Sequence, residues 1–248
     1  MFPILFTSEH LTLFSYPLFM GIAWGLAYHI SHLFYLKKFN NTVHFNLFFW
    51  GNFVMSWLGA KLAFLMTYKK MGATELSQHL SFWFGGGFVF YGGLIAAFLF
   101  TAIFAWKIKK CSIGSFSFLV IPLSLGHAIG RLGCFLAGCC YGSEYNGICS
   151  VEMHQALRHP VQIYEAVALT LLFFWSKKKM RNLEAHPHLI SQYLIFYSII
   201  RFSLEFFRGD IVRGNWGIFS TSQWISLGII LLCLGFRFFY SGRIVKFR

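Results

Sequence analysis

Charge is what this sequence has least of. Only 12% of its 248 residues are Asp, Glu, Lys or Arg, about half the quarter usual for a soluble domain. Acids are scarcest, 8 against 21 Lys and Arg. No heptad, solenoid or inverted repeat runs through the chain, and the 23 glycines follow no Gly-X-Y period, which excludes a collagen-like fold. No small-residue processing site follows the first apolar block and the chain has no lipobox of its own, so that block is expected to stay as a membrane anchor.

Apolar side chains are abundant: 57% of the residues are hydrophobic and 21% aromatic, including 32 Phe. That aromatic content excludes disorder. The apolar residues fall in long blocks and neither alternate nor share helices with a polar face. Such blocks suit lipid, so the expected fold is all-α: one integral membrane domain over 1–248, built as a polytopic transmembrane bundle.

Seven spans can be marked, at 13–36, 45–68, 85–106, 113–129, 161–176, 189–204 and 219–239. A crossing takes about 20 residues at 1.5 Å each; the fourth to sixth are short and can borrow length from their flanks. The net charge of +13 would suggest nucleic acid in a soluble protein. Here it is split into short runs between apolar blocks, the pattern of cytoplasmic loops, and no nucleic-acid partner is expected. With the N-terminus outside, one face collects Lys37, Lys38, Lys107, Lys109, Lys110, Lys177, Lys178, Lys179, Arg181, Arg243, Lys246 and Arg248, twelve of the 21 basic residues. The other face holds Lys69, Lys70, Arg131, Arg158, Arg208 and Arg213, offset by Glu75, Glu144, Glu152 and Asp210. This asymmetry sets the N-terminus outside and the C-terminus in the cytoplasm. It also places the Gly- and Cys-rich segment 131–160 on the outer face, as a loop packed onto the bundle.

Ionisable residues inside spans are costly and are functional candidates by default. Lys61 lies within the second span and Arg131 just past the fourth. Arg201 and Glu205 lie four apart at the end of the sixth, on one helix face, and Arg208 extends that stripe. A mutual salt bridge that only fixes the helix is the plain alternative for the Arg201–Glu205 pair, and snorkelling is the alternative for Lys61. Glycines crowd at Gly85–Gly86–Gly87, Gly92–Gly93, Gly126, Gly130 and Gly133. They allow either close helix approach or backbone N–H groups freed around an anion. Arg131, between Gly130 and Gly133, suits a phosphate, because a guanidinium binds it with two parallel donors.

Cys134, Cys139 and Cys140 crowd a short stretch. Their C-x4-C-C spacing lacks the paired knuckles of structural zinc sites, so they are expected to be structural thiols, with no metal and no cofactor. A disulfide to Cys149 stays open as an alternative. Cys111 and Cys233 look like solitary packing residues. His159, Gln162 and Glu165 follow at spacings of three, so all three can face the bundle interior, bonded to one another or to a substrate.

Taken in order, these segments resemble the prolipoprotein diacylglyceryl transferases, bacterial inner-membrane enzymes. The matching stretches are Gly59-Ala60-Lys61-Leu62, Tyr91-Gly-Gly-Leu94, Gly126-His-Ala-Ile-Gly-Arg-Leu-Gly133 running on to Tyr141-Gly142, and Arg158-His-Pro-Val-Gln-Ile-Tyr-Glu-Ala166. They continue with Tyr197-x3-Arg201-Phe-x2-Glu205-Phe-Phe-Arg208, Gly217-Ile-Phe-Ser220 and Ser222-Gln223. The resemblance spans about Tyr16 to Leu227. It implies seven spans with the N-terminus outside, and transfer of diacylglyceryl from phosphatidylglycerol to the lipobox cysteine of a prolipoprotein signal peptide, releasing glycerol-1-phosphate. Its partners would be that lipid, that precursor and the lipids of the bacterial cytoplasmic membrane.

By the same resemblance Arg131 and Arg201 hold the lipid headgroup, and Tyr197, Glu205 and Arg208 support the second arginine. Lys61, His159, Gln162, Gly133 and Gly142 belong to the substrate site, with Gly142 closing the signature. Three departures stand out. The family usually has arginine at the Lys61 position, and many members carry histidine where this chain has Tyr91. The signature usually reads Gly-Asn-Phe and then Asn-Gly-Glu, where this chain has Gly133-Cys134-Phe135 and then Ala137-Gly138-Cys139, a cysteine-rich variant. Tyrosine, with an ordinary pKa near 10, suits Tyr91 to hydrogen-bond donation; Glu205 and His159 are the remaining base candidates. An enzyme of the same fold with another acceptor, an anion transporter or channel, and a non-catalytic assembly factor are the alternatives.

The topology has a direct test. With the native cysteines replaced, a single cysteine at position 144 should react with a membrane-impermeant maleimide added outside intact cells. Labelling only from the cytoplasmic side would reverse the orientation.

Overall fold

A computed structural model describes residues 2–8, 12–67, 89–111, 113–180, 188–210 and 215–244. Gly85–Gly86–Gly87, Lys69, Lys70, Glu75, Arg181, Arg213, Lys246 and Arg248 lie outside them. The described residues form seven α-helices: α1 (Ser15–Phe39), α2 (Thr42–Thr67), α3 (Phe90–Lys107), α4 (Val120–Ala137), α5 (Val161–Lys179), α6 (Leu189–Leu204) and α7 (Thr221–Ile244). Each overlaps one of the seven apolar segments, so the fold is all-α. Among the described residues, strands are limited to three short hairpins: β1 (Ile4–Thr7) with β2 (Thr12–Phe14), β3 (Val151–Met153) with β4 (Ala156–Arg158), and β5 (Asn215–Trp216) with β6 (Phe219–Ser220).

The largest departure from the sequence-based boundaries is at the fourth segment. A 3-10 stretch, Ile113–Leu119, leads into α4, which runs on to Ala137. Arg131 is therefore inside a helix, where a loop beginning at residue 131 was expected. The cause is local: Leu132, Phe135, Leu136 and Ala137 keep a helical apolar pattern, and Gly138 is the first residue to adopt the left-handed conformation, φ 76°. Its N–H closes back on Cys134 and Phe135, the usual glycine stop. Together Ile113–Ala137, and separately Thr221–Phe238, are long and apolar enough to cross a membrane.

The chain divides into two compact units, Met1–Ser31 with Ser117–Arg248, and His32–Phe116. In the second, α2 and α3 run antiparallel, with Gly51 against Phe100 and Gly59 against Gly92. A Cβ on Gly59 would collide with the Gly92 carbonyl and with Ala96, and a Cβ on Gly92 with the Gly59 carbonyl, so these glycines let two backbones touch. Thr101 donates to the Asn52 side chain at 3.0 Å across the same pair. Tyr35, Phe45, Phe48, Phe104 and Phe116 pack ring on ring at its core. This unit carries Lys61, fully buried on α2, and Tyr91 in the first turn of α3.

In the first unit α4, α5, α6 and α7 pack in succession. Gly126 and Gly133 lie against Ala23, Phe19 and Tyr16 of α1. The segment after Gly138 folds into a ribbon between the end of α6 and the start of α5. Ser143 N–H donates to Phe207 (2.8 Å), Gly209 N–H to Tyr141 (3.1 Å) and His159 N–H to Ser143 (3.1 Å). Gly142 and Gly209 make this possible: a Cβ on Gly142 would strike the His159 backbone, and one on Gly209 the backbone of Gly142 and Ser143. Helix α7 starts from a reciprocal cap, in which Ser220 N–H donates to Gln223 Oε1 (2.9 Å) and Gln223 N–H to Ser220 Oγ (3.3 Å).

Candidate functional site

Helical spacing assembles the site. His127 and Arg131 lie four apart on α4, Tyr197 and Arg201 four apart on α6, and Glu165 comes from the first half of α5 between them. Glu165 is fully buried. Its Oε1 receives Arg131 Nη2 at 3.0 Å and the Tyr197 hydroxyl at 3.3 Å, and His127 Nε2 lies 3.7 Å away. One carboxylate oxygen thus ties three helices together. The His127 and Tyr197 rings pack against each other, centroids 5.3 Å apart.

Arg201, also buried, pairs through Nη2 with Glu205 Oε2 at 2.5 Å and donates to Ser222 Oγ at 3.3 Å. The salt bridge anticipated from the i, i+4 spacing is therefore present. Yet one nitrogen carries both contacts, and Arg201 Nη1 is buried with no hydrogen-bond partner among the described residues. Arg131 is in the same condition, its Nε buried and unpartnered. Buried polar groups are normally satisfied; here two cationic forks from two helices each keep an unused donor.

Arg208 sits beyond the end of α6, forked onto Asp210 with Nε–Oδ1 at 2.9 Å and Nη2–Oδ2 at 2.8 Å. Burial disfavours its charge, but the Asp210 hydrogen bonds and charge outweigh that and raise its pKa above the ordinary guanidinium value. It is a fixed positive group beside the ribbon, where its backbone pairs with Gly142. Each arginine has one carboxylate: Arg131 with Glu165, Arg201 with Glu205, and Arg208 with Asp210. For Arg131 and Arg201 the carboxylate fixes the guanidinium and leaves one donor without a partner among the described residues.

Other sequence candidates fall elsewhere. His159, Gln162 and Glu165 do not bond to one another. Gln162 Nε2 donates to the Cys139 carbonyl at 2.7 Å, while His159 stacks on Tyr145 at 3.9 Å and lies 3.4 Å from the Tyr164 hydroxyl. Cys139 and Cys149 form no disulfide; all six cysteines carry free thiols. Gly133 and Gly142 serve as close-approach positions against α1 and the His159 backbone. Lys61 and Tyr91 belong to the other unit. Sequence reasoning left Glu165 and His127 out of the site. The available signal was spacing: His127 is one turn before Arg131, and Glu165 follows Gln162 on a helix whose other charges sit at its far end.

Half-buried Arg131 and buried Arg201, each braced by a carboxylate, thus each keep one buried donor without a partner among the described residues. Residues 3–239 match the family model for prolipoprotein diacylglyceryl transferase. A phosphatidylglycerol–prolipoprotein diacylglyceryl transferase 2 of Clostridium perfringens is 37% identical over 187 residues, covering 70% of each chain. Enzymes named phosphatidylglycerol–prolipoprotein diacylglyceryl transferase from Clostridium tetani (35% identical, 71% of this chain and 72% of the relative) and Campylobacter hominis (28%, 94% and 88%) are similar too. The chain belongs to the prolipoprotein diacylglyceryl transferase family, and is a transferase.

The site's internal balance gives a stability prediction. Glu165→Gln keeps the shape but leaves the half-buried Arg131 guanidinium without its buried carboxylate, which should cost about 3–5 kcal/mol. Glu144→Gln breaks only the surface pair with Arg158, 3.1 Å apart with Glu144 73% exposed, and should cost at most about 1 kcal/mol. Unfolding in detergent micelles measures both. Equal losses would mean that Glu165 is not an internal brace.

Proposed function

We propose that this protein transfers the diacylglyceryl group of phosphatidylglycerol to the lipobox cysteine thiol of a prolipoprotein and releases glycerol-1-phosphate, within the bacterial cytoplasmic membrane. The observation that carries this reading is the pair Arg131 and Arg201, each braced by a carboxylate and each with one buried donor that has no partner among the described residues. The family names supply the lipid and the precursor.

The membrane setting is part of the proposal: seven spans, N-terminus outside, with the ribbon on the outer face as part of a single domain. The match of seven helices to seven apolar segments supports it. So do the large side chains turned outward, such as Ile95, Phe98, Leu99, Ile103 and Trp106 on α3 and Leu231, Leu232 and Phe236 on α7. In water such a surface would be an association hazard; in lipid it is the expected exterior.

The chemistry asks three things. A thiol must lose its proton, the glyceryl carbon must lie in line, and the phosphate must take up charge as its C–O bond breaks. Arg131 and Arg201 meet the third. Their donors are fixed before reaction, so no reorganisation is needed as negative charge grows on the departing phosphate. Glu165, Tyr197 and Glu205 act by holding those guanidiniums. Arg208 steadies the ribbon, its guanidinium held in place by the fork with Asp210. Glu205, one of the base candidates, is committed to Arg201; His159 is stacked on Tyr145. Roles for Lys61, Tyr91 and Gln162 in substrate binding rest on the resemblance alone.

The test is transfer from radiolabelled phosphatidylglycerol to a lipobox peptide. Arg131→Ala and Arg201→Ala should lower turnover about 100- to 1000-fold, equivalent to about 3–4 kcal/mol, with much smaller changes in lipid affinity. Arg201→Lys should rescue only part, because it keeps the charge and loses the fork. Arg208→Ala should cost less. A folded Arg131→Ala or Arg201→Ala protein within about threefold of the parent would remove that arginine from the mechanism.

A further inference from the structure

The C-x4-C-C spacing gave no reason to expect a metal, but folding brings the three thiols together: the sulfurs of Cys134, Cys139 and Cys140 all lie within 4.8 Å of one another. We propose that they hold a zinc ion with one open position, and that the lipobox cysteine thiol of the acceptor takes that position. This rests on the transferase reading above and supplies the acceptor activation that reading lacked.

The geometry fits without rearranging the fold. Three thiolates bound to zinc at about 2.3 Å sit about 3.8 Å apart, so closure needs side-chain shifts of about an ångström or less. The backbone is already bent for this. Gly138 ends α4 in the left-handed conformation (φ 76°), and Cys140 adopts it as well (φ 62°), a cost a non-glycine residue bears when its surroundings impose it. Those surroundings are identifiable. Gln162 Nε2 holds the Cys139 carbonyl at 2.7 Å, and His154 Nε2 lies 2.7 Å from the Gly138 carbonyl. Contacts that fix the backbone beside the thiols set the direction of the ligands. Cys139 is exposed, which leaves a side from which a fourth ligand can enter.

Charge fits too. Zinc with three thiolates carries one negative charge, and with a fourth it carries two. The guanidiniums of Arg131 and Arg208 are near enough to act on the cluster electrostatically and offset that charge. Cys134 is three residues after Arg131 on α4, so the ion would lie on the same helix face as the arginine proposed to bind phosphate. When the acceptor binds zinc its thiol proton passes to water, and the sulfur becomes a thiolate. A sulfur electron pair then forms the C–S bond to the glyceryl carbon. The electrons of the breaking C–O bond stay on the phosphate, which leaves as glycerol-1-phosphate. No oxidation is involved, and no enzyme cysteine is alkylated.

The test titrates the reduced, chelator-stripped full-length protein in detergent micelles with Co2+ as a spectroscopic substitute for zinc. One equivalent should give tetrahedral d–d bands and thiolate-to-cobalt charge transfer, displaced by Zn2+. Cys139→Ser and Cys140→Ser should lose the charge-transfer band, whereas Cys149→Ser and Cys111→Ser should keep it. A lipobox peptide should raise the band, and the same peptide with serine for its cysteine should not. Removing the metal should lower transfer about 100-fold, and Zn2+ should restore it. A parent protein without the charge-transfer band, or with Cys139–Cys140 disulfide-bonded under reducing conditions, overturns the proposal, and neither result depends on the folding of a variant. Full transfer by metal-free protein overturns the proposal and leaves the transferase reading intact. A peptide-responsive cobalt spectrum without any transfer keeps the metal site and overturns the transferase reading.

Discussion

A single buried carboxylate organises the first unit. Glu165 has no exposure to solvent, and an isolated carboxylate there would be prohibitively costly. It is tolerated because Arg131 and Tyr197 reach the same oxygen from two other helices. The dependence runs both ways, since Arg131 is equally unsuited to burial alone. The positions of α4, α5 and α6 and the direction of one guanidinium are thus set by the same contact. The Arg201–Glu205 and Arg208–Asp210 pairs repeat the arrangement at lower complexity. The outcome is positive charge that is fixed in place but not exhausted: Arg131 Nε and Arg201 Nη1 keep donors. The proposed stabilisation of a departing phosphate calls for that property more than for high net charge, because pre-oriented donors act preferentially on the transition state.

The ribbon after α4 depends on glycine. Gly142 and Gly209 allow two backbones to meet, and the contact locks the end of α6, with Arg201 and Glu205, to the start of α5, with Gln162 and Glu165. Gly138 decides where α4 stops and so lets Cys139 and Cys140 turn back to Cys134 in the last turn of that helix. Arginine pairs, glycine contacts and thiols therefore form one assembly. A change in the ribbon would be felt at the arginines without any direct contact to substrate.

Much of this was legible in the sequence. The seven helices followed from blocks of apolar residues, because the length of such a block is a local property. Arg131, Arg201 and Glu205 stood out because charge is rare in those blocks, and the Arg201–Glu205 pairing followed from helix spacing. What could not be read was convergence between distant segments. Glu165 looked like one of several polar residues opening α5; only the packing of α4 and α6 against it makes it the common partner. His159 was grouped with Gln162 and Glu165 by spacing, but Tyr145, contributed by the ribbon, draws its ring away. The thiols were judged by a linear pattern suited to zinc knuckles, whereas a left-handed Gly138 and Cys140 turn the chain back on itself. The apolar pattern ends the fourth span before Arg131 because a charge breaks it, whereas Glu165, the partner that holds Arg131 within α4, comes from a distant segment.

The central claim is that Glu165 serves the reaction by holding Arg131. A double-mutant cycle on transfer from phosphatidylglycerol to a lipobox peptide tests it most directly, comparing the parent, Glu165→Gln, Arg131→Ala and the double variant, each verified as folded. Residues that act as one unit are strongly non-additive. The expected result is that Glu165→Gln alone slows turnover sharply, but slows it by less than about threefold once Arg131 is already gone. A double variant whose loss equals the product of the two single losses would show independent roles and contradict the account.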